Sequence, residues 1–152
     1  MPEIIISDTS CLILLQKIGQ LNLLPKLYSQ IFVTPLIEKE FGGDLPKEIR
    51  VREPLDINLL RTLSQFVDSG EASAIALAFE IENSVLVLDD RKARKFASSL
   101  GLKLTGTLGI LVKARQMGYL TSIKQVLEDL RKTDFRISQS IIDRILKEAD
   151  EI

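Results

Sequence analysis

Two short apolar runs, each ending in aspartate, constrain this chain more than any other feature. Ile4-Ile5-Ile6-Ser7 stops at Asp8, and Val85-Leu86-Val87-Leu88 stops at Asp89-Asp90. Runs this short, with no polar alternation, read as strands buried on both faces. Stretches of helical spacing separate them. Ser10 to Ile18 carries Leu12, Leu15 and Ile18 on one stripe, and Thr34-Pro35 is a cap followed by proline at the first helical position. That helix stops at Gly42-Gly43. Asp56 caps a helix carrying Leu60, Leu63 and Val67, Ser69-Gly70 interrupts, and Glu71 to Ile81 forms an alanine-rich helix. Further strands are expected at Ile31 to Val33, at an Ile49 to Glu53 edge, and at Leu102 to Leu104. Helices follow from Asp90 to Leu100, Thr107 to Met117, Ser122 to Lys132 and Ser138 to Ala149.

Strands alternating with helices predict an α/β fold, a three-layer α/β/α arrangement on a mainly parallel sheet of about five short strands. The 152 residues, 45% of them hydrophobic, suffice for one core. The expected organisation is one domain over 1–152, with 120–152 as a C-terminal helical extension. The N-terminal MPEIIISD has none of the charge pattern of a signal peptide. The apolar runs fall far short of the roughly 20 residues that span a bilayer. A soluble cytoplasmic protein is the expectation.

Composition removes much chemistry. The chain has no histidine and one cysteine, with 20 Lys+Arg against 21 Asp+Glu. A Ser-His-Asp triad, a Cys-His pair and a His-rich zinc site are excluded, as is an internal disulfide. Acid–base chemistry must come from carboxylates, Lys, Tyr or a metal-bound water. Cys11 reads as a buried small hydrophobe. The net charge of −1 argues against a general electrostatic nucleic-acid binder, though not against a local basic patch.

In open α/β sheets the ligand site lies beyond the carboxyl ends of the strands, where strand order reverses. Asp8, Asp89, Asp90, Thr105 and Thr107 fall there. Carboxylates that close repel unless a cation intervenes, and Mg²⁺ or Mn²⁺ suits an all-oxygen ligand set. Glu40, with Leu36 and Ile37 as its i−4 and i−3 neighbours, lies on or beside an apolar face. Glu71 aligns with Ile75 and Phe79 and points inward. Each acid also has a plain explanation. Asp8 and Asp90 cap the helices that follow, Glu40 is a boundary residue reaching solvent, and Glu71 belongs to a variant capping box led by Asp68. Four acids at matched element ends favour the joint explanation over four separate ones. Beside them, Arg91, Lys92, Arg94 and Lys95 form a basic run on the next helix, as a phosphate contact or a solvated surface. Thr105 and Thr107 offer hydroxyls to phosphate across Gly106, or form a plain turn with a cap at Thr107.

In order and spacing these residues resemble a PIN domain of the VapC-like toxin nuclease class. The resemblance rests on Asp8 and Ser10 in Ile6-Ser7-Asp8-Thr9-Ser10, and on Glu40 in Pro35-Leu36-Ile37-Glu38-Lys39-Glu40. It continues with Glu71 in Gly70-Glu71-Ala72, Asp89-Asp90-Arg91, and the Thr105-Gly106-Thr107-Leu108-Gly109 turn. It covers about residues 3 to 117. It implies a ribonuclease that uses Mg²⁺ or Mn²⁺, often the toxin half of a toxin–antitoxin pair. Asp8 and Asp90 are then direct metal ligands, Glu40 and Glu71 bind a second ion or orient water, and Ser10 hydrogen-bonds within the acidic site. Two departures stand out. Glu71 occupies a position that many such nucleases fill with Asp, and a Leu88-Asp89-Asp90 doublet replaces the usual Thr-x-Asp, which leaves Asp89 as a further candidate ligand. A haloacid-dehalogenase phosphatase needs an acid where Ser10 stands, and a receiver domain needs an acidic pair at the first strand. The main alternative is a catalytically silent module that binds RNA or protein. The final helix carries Ile141, Ile142, Ile145 and Leu146 on adjoining stripes. That width predicts packing on the core or on a second subunit, as in a homodimer.

Overall fold

The computed structural model describes residues 3–151. The ends of the expected 1–152 domain, including the first two residues of the N-terminal segment, lie outside the described residues. Five parallel strands form one sheet in the order β3-β2-β1-β4-β5. They are β1 (Ile4–Ile6), β2 (Gln30–Val33), β3 (Ile49–Val51), β4 (Ser84–Val87) and β5 (Leu104–Thr105). The first three run outward to one edge. The chain then crosses back to lay β4 against the other side of β1, with Ile6 opposite Leu86. Strand order therefore reverses between β1 and β4, the two strands that end in aspartate.

Ile5, Ile6, Leu86 and Val87 are at most 1% exposed, which explains why β1 and β4 read as unbroken apolar runs. Right-handed crossovers leave β1 and β4 in opposite directions, so their helices cover opposite faces and complete three layers. Connecting β1 to β2 are α1 (Thr9–Lys17) and α2 (Leu23–Leu27), and α3 (Pro35–Phe41) connects β2 to β3. The return passes through α4 (Ile57–Leu63) and α5 (Ser69–Glu80), with α5 lying across β1 and β4. Helix α6 (Arg91–Ser99) leads to β5, then α7 (Thr107–Gln116), α8 (Ile123–Arg131) and α9 (Gln139–Glu148) follow. Among the described residues no helix is long and apolar enough to cross a membrane.

The helix starts follow local chemistry. Asp8, Thr34, Asp56, Asp68, Asp90, Ser122 and Ser138 each accept a backbone N–H from the first turn of a helix. Gly42 ends α3 in the left-handed region, at φ 73°. Three expectations need correction. Helix α5 begins at Ser69, so Gly70 sits inside its first turn instead of interrupting it. Asp68 captures Glu71 N and recruits both residues into the helix. The last strand is Leu104–Thr105, starting two residues and ending one residue later than its apolar run suggests, with Thr105 O taken into the sheet by Leu88 N. Helix α7 is capped by Gly106, with Thr107 as its first residue. Part of the wide apolar face of α9 packs inward: Ile142 and Ile145 are buried against α7 and α8, Leu146 is half-buried, and Ile141 is exposed.

Candidate active site

Asp8 leaves β1 and caps α1. Its Oδ1 accepts Cys11 N at 2.9 Å and its Oδ2 accepts Asp89 N at 3.1 Å, across the β1–β4 boundary. The residue is 5% exposed. Its pKa rises from 3.8 to about 7: burial drives the rise, the Asp89 charge adds to it, and the two backbone N–H groups only partly oppose it. Glu71 contributes further repulsion. Asp8 therefore carries a charge the protein alone stabilises poorly.

Asp89 is half-buried and fixed by one residue: Thr107 N donates to Oδ1 at 2.9 Å and Thr107 Oγ1 donates to Oδ2. Gly106 permits this approach, since a Cβ there would stand 2.9 Å from Asp89 Oδ1 and 3.0 Å from Arg94 Nη1. Thr107 is fully buried, so its hydroxyl positions a carboxylate and is closed to a phosphate, which removes one of the two roles expected for it. Asp90 is exposed and caps α6 through Ala93 N at 2.9 Å. The helix-cap explanation thus holds for both Asp8 and Asp90.

Glu71 is half-buried in the first turn of α5. Its pKa rises from 4.5 to about 7, mainly through burial, then through the charges of Asp68 and Asp90. The stripe expected beneath it is incomplete: Ile75 is fully buried but Phe79 is 46% exposed. Glu40 is exposed instead of lying on an apolar face. Thr9 Oγ1 donates to its Oε1 at 2.7 Å, and the carboxylate rests against Gly70, where a Cβ would collide with it. Glu40 therefore meets the start of α5 one residue from Glu71.

Ser10 is exposed and lines a cavity of about 400 Å³ with Asp89 and Asp90. The hydroxyls that hold carboxylates are those of Thr9 and Thr107. Arg91 and Arg94 share one face of α6, which opens onto a groove with Asp89, Thr105 and Gly106. Lys92 and Lys95 are exposed and do not line that groove. Arg94 Nη1 also donates to Leu88 O at 2.6 Å. A separate cavity of about 570 Å³ lies at the Lys17 end of α1, away from Asp8. Cys11 is fully buried. Burial and the charges of Asp8 and Asp89 push its thiol well above its ordinary 9.0, so it is held as a neutral thiol.

Residues that the sequence did not single out complete the arrangement. Thr9 and Gly70 place Glu40, and a buried pair, Thr34 Oγ1 and Ser73 Oγ at 2.7 Å, ties α3 to α5 beneath it. Thr9 adjoins Asp8, so a hydroxyl there was a visible signal, whereas the Thr34–Ser73 pairing spans 39 positions and has no local one. Among the described residues no three acidic side chains stand close enough to hold one ion as they are. Mutual repulsion gives a physical reason for that spread. The donors are all carboxylate oxygens, two of them on long Glu side chains, and they fit a hard divalent cation.

A family profile described as a PIN domain matches residues 4–151. The chain belongs to this PIN-domain family. The match runs through α8 and α9, beyond the stretch on which the sequence resemblance rested. PIN domains are generally nucleases and usually use divalent metals. A comparison with curated proteins returned no match.

Proposed function

We propose that this chain is an endoribonuclease dependent on Mg²⁺ or Mn²⁺, with Asp8, Glu40, Glu71, Asp89 and Asp90 as its acidic centre. The observation that carries this is the meeting of Asp8 and Asp89 at the reversal of strand order, with Asp8 raised to about 7 in the absence of a countercharge. A divalent ion held by these carboxylates would supply that countercharge, and with it Lewis-acid activation of the phosphodiester and of water. Asp8 and Asp89, each pinned by two hydrogen bonds, form the rigid half of the ligand set. Glu40 and Glu71, on longer side chains, close it. Where Glu71 does not itself hold an ion, its carboxylate is placed to orient the attacking water. The wider reading is a cytoplasmic type II toxin with an antitoxin partner, acting as a homodimer, and organised as one domain over 1–152 with 120–152 as its extension. The acids' failure to converge favours one alternative, a silent RNA- or protein-binding module.

The test is incubation with mixed-sequence RNA and Mn²⁺ or Mg²⁺, beside Asp8→Asn and an EDTA control. Cutting that needs the metal and is lost in Asp8→Asn supports the nuclease. A folded wild type that cuts no RNA with either metal moves the assignment to the silent module.

A further inference from the structure

The basic run on α6 has a counterpart far away in sequence. A groove of about 830 Å³ begins at Asp89, Arg91 and Arg94, and its opposite wall is built by Arg136, before α9, and Arg144, within it. Phe135 and Arg136 also line the smaller cavity that reaches Ser10 and Asp90, so the two spaces meet beside the acidic centre. Among the described residues none of the four arginines has a carboxylate within 4 Å; the ion pairs there are Lys113–Glu3 and Arg115–Glu151. The opposing charges in the groove are Asp89, held by Thr107, and Glu148. In a chain of net charge −1, four unpaired guanidinium groups facing one groove form a strong local positive field. Guanidinium groups bind phosphate oxygens two at a time, which ammonium groups cannot. Gly109 lets α7 close against Thr105 at the floor of the groove, since a Cβ there would stand 2.5 Å from Thr105 Oγ1.

We propose that this groove is the path of a single-stranded RNA backbone. Arg91, Arg94, Arg136 and Arg144 neutralise phosphates flanking the one at the acidic centre, and the α8–α9 segment forms the second wall of the substrate site. This rests on the ribonuclease assignment for its ligand but not for its test. Binding of labelled single-stranded RNA to the wild-type protein is measured in EDTA across a salt series, so no metal-dependent cleavage intervenes. The same is done for R136Q/R144Q and for a charge-matched control, K26Q/K124Q, at exposed positions outside the groove. Thermal melts confirm that each variant folds. Loss of two phosphate contacts should weaken binding at low salt by about tenfold or more and reduce the salt slope by about 1.4. The control should behave as wild type. Unchanged affinity and slope in R136Q/R144Q overturn the proposal, as does a wild type that binds no RNA. If R136Q/R144Q binds normally while wild type cuts RNA with Mn²⁺, the groove fails and the nuclease stands. If it loses binding while wild type cuts nothing, the groove stands without the nuclease.

Discussion

Removing the Asp8 charge should stabilise the metal-free protein, and only above acidic pH. Asp8 holds its proton to about pH 7 in the fold against 3.8 for an ordinary aspartate. Below 3.8 both states are protonated and the group adds nothing to the pH dependence. Between 3.8 and 7 the native state keeps a proton that the unfolded chain has released, so stability falls as pH rises. Above 7 the whole penalty is in place. Roughly three pH units at about 1.4 kcal/mol each come to about 4 kcal/mol. Asp8→Asn removes this cost, keeps an oxygen for Cys11 N, and loses the hydrogen bond from Asp89 N, worth about 1 kcal/mol. The net gain at pH 8 is about 3 kcal/mol, or about 6–12 °C in Tm for a chain this size. At pH 4 the gain vanishes and the lost hydrogen bond leaves the variant slightly less stable. Thermal melts of both proteins in EDTA at the two pH values measure this. A Tm for Asp8→Asn that is lower than wild type at pH 8 by as much as at pH 4 would refute the claim that burial and like charge strain this carboxylate.

Gly70→Ala should keep or raise Tm, because Ala is favoured over Gly in a helix by up to about 1 kcal/mol. It should nonetheless weaken Mn²⁺ binding and cleavage, because the new Cβ displaces the Glu40 carboxylate. Thr107→Val deletes the hydroxyl donor to Asp89 at nearly constant volume and should cost about 1.5–3 kcal/mol in denaturant melts, with Thr107→Ser restoring most of it. Glu151→Gln should lower Tm near neutral pH without changing metal binding. Burial pushes the Glu151 carboxyl up, but Ile123 N, Lys124 N, Ser122 and Arg115 together outweigh it and hold it below 4.5. Its contribution is therefore present above 4.5 and lost as pH falls through the lowered value, so wild type and Glu151→Gln should converge in acid.

The strands and helix starts were legible because their causes are local. A β-branched run, a capping Asp or Ser and a stopping glycine act within four or five residues. Asp8 and the Asp89-Asp90 pair were legible as a meeting point for a further reason: a parallel sheet fixes where strand ends go. What sequence could not show were choices between neighbours. Thr9 and Ser10 both follow Asp8, and only the turn of α1 decides that Thr9 faces Glu40. Asp89 and Asp90 differ in the same way, with Asp89 turned to Thr107 and Asp90 to its own helix. Boundaries blurred where a long-range bond competed with local pattern, as where Leu88 N donates to Thr105 O and Thr105 joins β5 opposite Val87. The basic groove was half visible. Arg91 and Arg94 stand beside the acids in sequence, while Arg136 and Arg144 reach them only through the packing of α9 on α7.

Calorimetric titration of Mn²⁺ into wild type and Asp8→Asn near pH 7.5, repeated in buffers of different ionisation heat, tests the acidic centre most directly. Asp8 and Glu71 titrate near pH 7, so an ion seated among these carboxylates must displace bound protons. The expected result is saturable binding to wild type, with an apparent heat that varies with the buffer as protons are released, and loss of that binding in Asp8→Asn. Binding that is absent from folded wild type, or equal in the two proteins, would contradict a metal centre at the β1–β4 junction.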